Sequence, residues 1–147
     1  MMSVLTDIFT NKAIMVPALA WFLAQLIKVT TSLKADRKIN LSRLFGSGGM
    51  PSSHACYVVC LGVVVGKNLG WYSMEFGIVF AFAFVVMYDA TGIRQAAGKQ
   101  AKLLNSLVST HFPGDEFNEK LKELLGHKPL EVFIGAILGI TIGAFFG

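Results

Sequence analysis

Charge is scarce in this chain: Asp, Glu, Lys and Arg together make up 15% of its 147 residues. Water-soluble domains carry about 25%, so there is too little polar side chain to cover a soluble globule of this size. Cysteine is also rare. Cys56 and Cys60 are the 2 present, and four-residue spacing in an apolar run puts them on one helical face, where a disulfide is geometrically poor. A secreted disulfide scaffold is thereby excluded, and the pair reads as small apolar side chains. There is no Lys/Arg run interleaved with aromatics in a polar domain, which argues against a nucleic-acid partner. Long repeats, heptads and low-complexity tracts are missing too, so neither a coiled coil nor a disordered tail fits. What is abundant is apolar: 54% hydrophobic residues, 12 of them Phe, with a mean hydropathy of +0.60. The reading is an all-α integral membrane bundle with the bilayer as its first partner.

Crossing a hydrocarbon core of ~30 Å takes roughly 20 helical residues. Apolar stretches of that order fall at 13–33, 52–69, 71–88 and 129–147, within one transmembrane domain spanning 1–147. The second and third are nearly contiguous and predict a tight helical hairpin. Ala18-Leu19-Ala20 resembles a signal-peptide cleavage site, but the apolar run continues through Trp21, Phe22 and Leu23, which favours a retained helix. Between 92 and 110, Ile93, Ala97, Leu104, Leu107 and Val108 form one face and Arg94, Lys102, Asn105 and Ser109 another. That pattern predicts an amphipathic helix at the interface or against the bundle. Residues 111–118 read as a turn-rich loop, and 119–125 as a short helix leading into Gly126.

The cations divide unevenly. Lys34, Arg37, Lys38 and Arg43 lie between the first two spans, and Arg94, Lys99, Lys102, Lys120, Lys122 and Lys128 between the last two, against Lys12 and Lys67 on the other side. The positive-inside rule puts both basic loops in the cytoplasm, in what reads as a bacterial plasma membrane. Gly62, Gly66 and Gly70, and Gly135, Gly139, Gly143 and Gly147, recur every four residues and make two smooth grooves. Packing within one bundle and a homodimer seam both fit that spacing.

Ionisable groups in lipid must be paired, hydrated or used. Lys28 and Asp89, near the ends of their helices, and His54, His127 and Glu131, at the starts of theirs, all fall at one membrane face, while Glu75 lies alone towards the other. The run Gly46-Ser47-Gly48-Gly49-Met50-Pro51-Ser52-Ser53-His54 joins close backbone approach, Pro in a first helical turn, free helix-start amides and two hydroxyls. It reads as a phosphate cradle, or as a plain capped loop. His127 and Glu131 are one turn apart, so the carboxylate can hold one imidazole nitrogen while the other faces a substrate. Asp89 and Arg94 either pair with each other or serve phosphate together, with Lys99 a further candidate cation.

Gly48-Gly-Met-Pro-Ser-Ser-His54, Met87-Tyr-Asp-Ala-Thr-Gly-Ile-Arg94 and Leu125-Gly-His-Lys-Pro-Leu-Glu-Val132 resemble, in order and along nearly the whole chain, the divergent branch of the type 2 phosphatidic acid phosphatase and vanadium haloperoxidase-related superfamily. The parent pattern is Lys-x6-Arg-Pro, Pro-Ser-Gly-His and Ser-Arg-x5-His-x3-Asp. Pro51-Ser52-Ser53-His54 is similar to the second motif and His127-x3-Glu131 to the end of the third. The first has no counterpart, leaving Lys28 and Arg43 as stand-ins, and Leu121 stands where the third has arginine.

The resemblance implies hydrolysis of a lipid phosphate monoester or diphosphate with no metal or other cofactor. His127 would attack phosphorus, Glu131 would orient it, and His54 would protonate the leaving oxygen. Lys28, Arg43, Ser52, Ser53, Arg94, Lys99 and Asp89 would form the phosphate site. A flippase or transporter binding lipid phosphate in the same cavity, and a non-catalytic membrane protein whose polar cluster locks helices together, are the rival expectations.

Overall fold

The structure, a computed structural model, describes residues 2–36, 49–111, 120–121, 123 and 125–147. The described residues form helices α1 (Met2–Thr10), α2 (Lys12–Asp36), α3 (Ser53–Leu69), α4 (Met74–Thr91), α5 (Ile93–His111) and α6 (Pro129–Phe146), with no strand among them. Three stretches, Lys12–Thr31, Met74–His111 and Pro129–Phe146, are long and apolar enough to cross a membrane. The remaining apolar helix, α3, has 17 residues. At ~1.5 Å per residue it is roughly 25 Å long, somewhat short of the ~30 Å core. Its position explains why this suffices: α3 packs against α2, α4 and α6, most extensively against α6, and so meets little lipid itself.

The distribution of side-chain size follows from the solvent being lipid. The core is built from small residues, Ala20 and Ala24 of α2 with Cys56, Cys60 and Val64 of α3 and Ile142 of α6. Phe80, Phe82, Phe84 and Val85 of α4 face outward. Large apolar side chains gain nothing by leaving hydrocarbon, whereas small ones let backbones approach and collect dispersion contacts. The thiol of Cys56 donates to the carbonyl of Ala20 at 3.4 Å, closing the α2–α3 seam, and both cysteines are free and buried.

Both glycine ladders are used inside the chain. A Cβ on Gly135 or Gly139 would overlap the carbonyl oxygens of Ser52 and Cys56, and one on Gly143 would crowd Val63. On the other ladder, Gly66 makes room for the Trp71 ring. These stripes are therefore intrachain packing surfaces, not seams left open for a second copy. The α3–α4 hairpin turns at Gly70, whose φ of 96° suits glycine, and Ser73 caps α4 by accepting from the Phe76 amide at 3.2 Å. At that end of the bundle, the Lys67 ammonium donates to the carbonyls of Ala144 (2.7 Å) and Gly147 (3.1 Å).

The expected amphipathic helix forms as α5; the side it buries carries Gly98 and Ala101, while Ile93, Leu104 and Leu107 are exposed. Two features depart from the sequence reading. Helix α1 has no counterpart in the hydropathy pattern of the spans. Lys120, Leu121, Glu123 and Leu125 are not helical, so the short helix expected at 119–125 is absent at those positions. Asn105 provides the reason. Its side-chain amide donates to the Leu121 carbonyl and accepts from the Leu121 amide, at 2.9 and 3.0 Å, tying the Leu121 backbone to α5. Arg43, Lys122 and the loop at 112–118 lie outside the described residues.

Candidate active site

The site forms where the starts of α3 and α6 meet the end of α4. Ser52 is the N-cap of α3, its hydroxyl accepting from the Ala55 amide, and its own amide donates to the Glu131 carbonyl at 2.9 Å. The His127 amide donates to the Ala90 carbonyl at 2.9 Å. Gly126 makes this junction sterically feasible: its φ is 86°, and a Cβ there would stand 2.6 Å from the Gln95 amide nitrogen. Two interelement backbone bonds thus fix the segments carrying His54 and His127 before any side chain is considered.

His127 is 2% exposed. Its Nδ1 lies 3.0 Å from Glu131 Oε2, and the same oxygen accepts from the Lys128 amide at 3.2 Å. That second bond is half of a capping box, so the carboxylate serves the start of α6 and the imidazole together. An ionised carboxylate only accepts, which assigns the proton to Nδ1 and leaves the Nε2 lone pair free. Nε2 is buried and has no hydrogen-bond partner among the described residues. Burial pushes the His127 pKa below its ordinary value of 6.5, and Lys28 and Arg94 push the same way, against the opposing pull of Glu131. Burial thus favours the neutral ring, with Nε2 turned away from solvent and from protein donors.

His54, on the exposed side of α3's first turn, has its ring centre 6.1 Å from that of His127. Lys28 is 3% exposed and runs along the backbone bend at Gly49, where a Cβ would stand 3.3 Å from Lys28 Cγ. Its charge acts on His54, His127 and Glu131. Thr31 steadies the same bend by donating to the Met50 carbonyl at 3.2 Å. Arg94 and Asp89 form an ion pair at 2.6 Å, and both charges act on His54. The structure therefore gathers His54, His127, Glu131, Lys28, Ser52, Ser53, Asp89 and Arg94. Lys99 is exposed along α5 and is not among the charges acting on either histidine. Among the described residues no three His, Cys, Asp or Glu side chains converge as a metal-binding group.

Two supporting residues escape a motif search. Asn105 fixes the approach to Gly126 through a clamp that depends on tertiary contact, so no local pattern announces it. Thr31 is equally silent, being one of two adjacent threonines near the end of an apolar run.

Apolar helices with a polar cluster gathered at one end define a small integral membrane protein with a histidine–carboxylate pair. The chain belongs to the divergent PAP2 family, which it matches over residues 9–142. It is 38% identical over 148 residues to an uncharacterized membrane protein, YuiD, of Bacillus subtilis (strain 168), covering 92% of this chain and 94% of that protein. No solved structure matches it.

Proposed function

We propose that this protein is a membrane lipid phosphatase acting through a covalent phosphohistidine, with no metal in the reaction. The observation that carries the reading is the buried His127, proton-fixed at Nδ1 by Glu131 and unpartnered at Nε2, beside a second histidine. A neutral imidazole oriented by a carboxylate is the arrangement that makes histidine a nucleophile, while a catalytic acid or base adds typically 10²–10⁴-fold. Nε2 forms a bond to phosphorus as the P–O bond to the lipid breaks, and protonated His54 gives its proton to the departing oxygen. His54, now neutral, takes a proton from water as that water attacks phosphorus and breaks the P–N bond, so inorganic phosphate leaves and His127 is regenerated. Lys28 and Arg94 balance charge on the transferring group, and the first amides of α3, lacking helical acceptors, bind its oxygens with Ser52 and Ser53. Arg43 and Lys99 are further candidate cations. The protein is proposed to work in the plasma membrane of a bacterium with this face to the cytoplasm; a homodimer would need a surface other than the glycine ladders.

A second reading, lipid-phosphate binding for transport without cleavage, is favoured by two features: Arg94 pairs with Asp89, and Leu121 stands where the parent pattern has arginine. One experiment separates the two. Purified protein in vesicles is given a panel of lipid monophosphates and diphosphates, with and without a chelator, and both phosphate release and lipid movement across the bilayer are measured. Chelator-insensitive release is the expected result. Movement of the lipid without release selects the transport reading, and absence of both overturns the site assignment.

A further inference from the structure

An apolar groove of about 420 Å³ lies between the last two turns of α4 and the first two turns of α6, within the ~300–1,000 Å³ range of small-molecule sites. Its walls are Phe84, Met87 and Tyr88 on one side and Val132, Phe133 and Ala136 on the other, with Thr91 and Pro129 at the rim. We propose that this groove is the hydrocarbon-chain site of an anionic amphiphile whose phosphate head sits beside His54 and His127. The inference rests on the phosphatase reading only for what happens to the head group.

Three observations point to that occupant. The groove borders the site: Thr91 follows Ala90, whose carbonyl holds the His127 amide, Val132 follows Glu131, which holds the His127 ring, and Ala90 and Val132 pack in one buried cluster with Ala55 of α3. Its polarity is graded. The charged groups Lys28, Arg94, Asp89 and Glu131 gather at the head-group end, and no ionisable carboxylate, amine or imidazole lines the groove below the rim. Its depth fits a leaflet. From Thr91 to Phe84 is seven helical residues, roughly 10 Å, so a chain leaving the rim is held for much of a ~15 Å half-bilayer. Phe84 and Phe133, both more than half exposed, form open lips through which a lipid enters sideways from the bilayer.

The competing occupant is ordinary bilayer lipid, which would fill the groove without regard to head group. Photo-crosslinking of the full chain in vesicles separates the two. The probes are a lipid monophosphate and the neutral diacylglycerol with the same chains, each carrying a diazirine about six carbons below the head group, with adducts mapped by mass spectrometry. The expected result is labelling of Phe84, Met87 and Phe133 by the lipid phosphate, about tenfold or more above the neutral lipid, a preference of ~1.4 kcal/mol. Equal labelling by both probes overturns the inference, as does a lipid-phosphate label confined to α2 or to Phe80 and Phe82. The same sample is assayed with water-soluble p-nitrophenyl phosphate, which needs the histidines and not the groove. Hydrolysis of the soluble ester with an unlabelled groove defeats the chain site alone. Preferential labelling without hydrolysis of any ester defeats the phosphatase reading and leaves the chain site standing.

Discussion

His127 and His54 differ in burial, and their substitutions should differ accordingly. With His127→Ala, no other side chain can place a bare imidazole nitrogen against phosphorus, so turnover and acid-labile phosphoprotein should both disappear. His54→Ala should slow lipid substrates by roughly 10²–10⁴-fold and p-nitrophenyl phosphate less, because that leaving group needs little protonation. Phosphate release by the two variants on both substrates checks the division of labour, and a His127→Ala protein hydrolysing lipid phosphate normally would end it. The sign of the pH effect follows from burial. A histidine whose folded pKa lies below 6.5 stays neutral at pH values where a free one is half protonated. The acidic limb of kcat/KM set by His127 should therefore fall below pH 6.5, measurable across about pH 4 to 8. Stability has the same sign: the contribution of His127 is complete above its unfolded value and is lost as pH falls towards the folded one, because acid must charge a buried ring. Residues of this kind were legible in the sequence. An ionisable group in an apolar segment is costly enough to stand out, and i,i+4 spacing alone pairs His127 with Glu131. Asn105 was not legible, since a polar residue on a polar face looks the same whether or not it clamps a distant backbone.

At the level of elements, the apolar runs locate α2, α3, α4 and α6 because lipid imposes length and composition directly. The packing face of α5 was not legible for a related reason. Amphipathicity weighs large apolar side chains, yet the contact that fixes α5 runs through Gly98, where a Cβ would stand 2.6 Å from the Glu123 carbonyl oxygen. The α3–α6 ladder offers the corresponding test. Gly139→Ala drives a methyl into the Cys56 carbonyl and should cost about 1–3 kcal/mol, the usual penalty for overpacking. Gly77→Ala is the control, since nothing lies within 4 Å of a Cβ there. It should be neutral or stabilising by about 0.5–1 kcal/mol through helix propensity. Denaturant unfolding of both variants in the same detergent gives the comparison, and equal losses would mean that the α3–α6 contact is not the tight seam described.

For the whole molecule, the gathering of ionisable groups at one end gives the orientation a direct readout. If that end is cytoplasmic, a cysteine introduced at Ser106 should react with a membrane-impermeant maleimide only after cells are permeabilised, and one at Ser73 should react from outside. Cys56 and Cys60 are buried and should contribute little background. Labelling of Ser106 in intact cells would invert the topology. The amides of Ser52 and His127 add a reporter that needs neither substrate nor label. Each donates to a carbonyl belonging to another part of the bundle, Glu131 in α6 and Ala90 in α4. Neither proton can meet solvent while those helix ends stay joined, so their deuterium uptake measures the opening of the junction itself. The two should exchange slowly and at matching rates, and a variant that uncouples them will have split the site along one helix boundary while leaving the other closed.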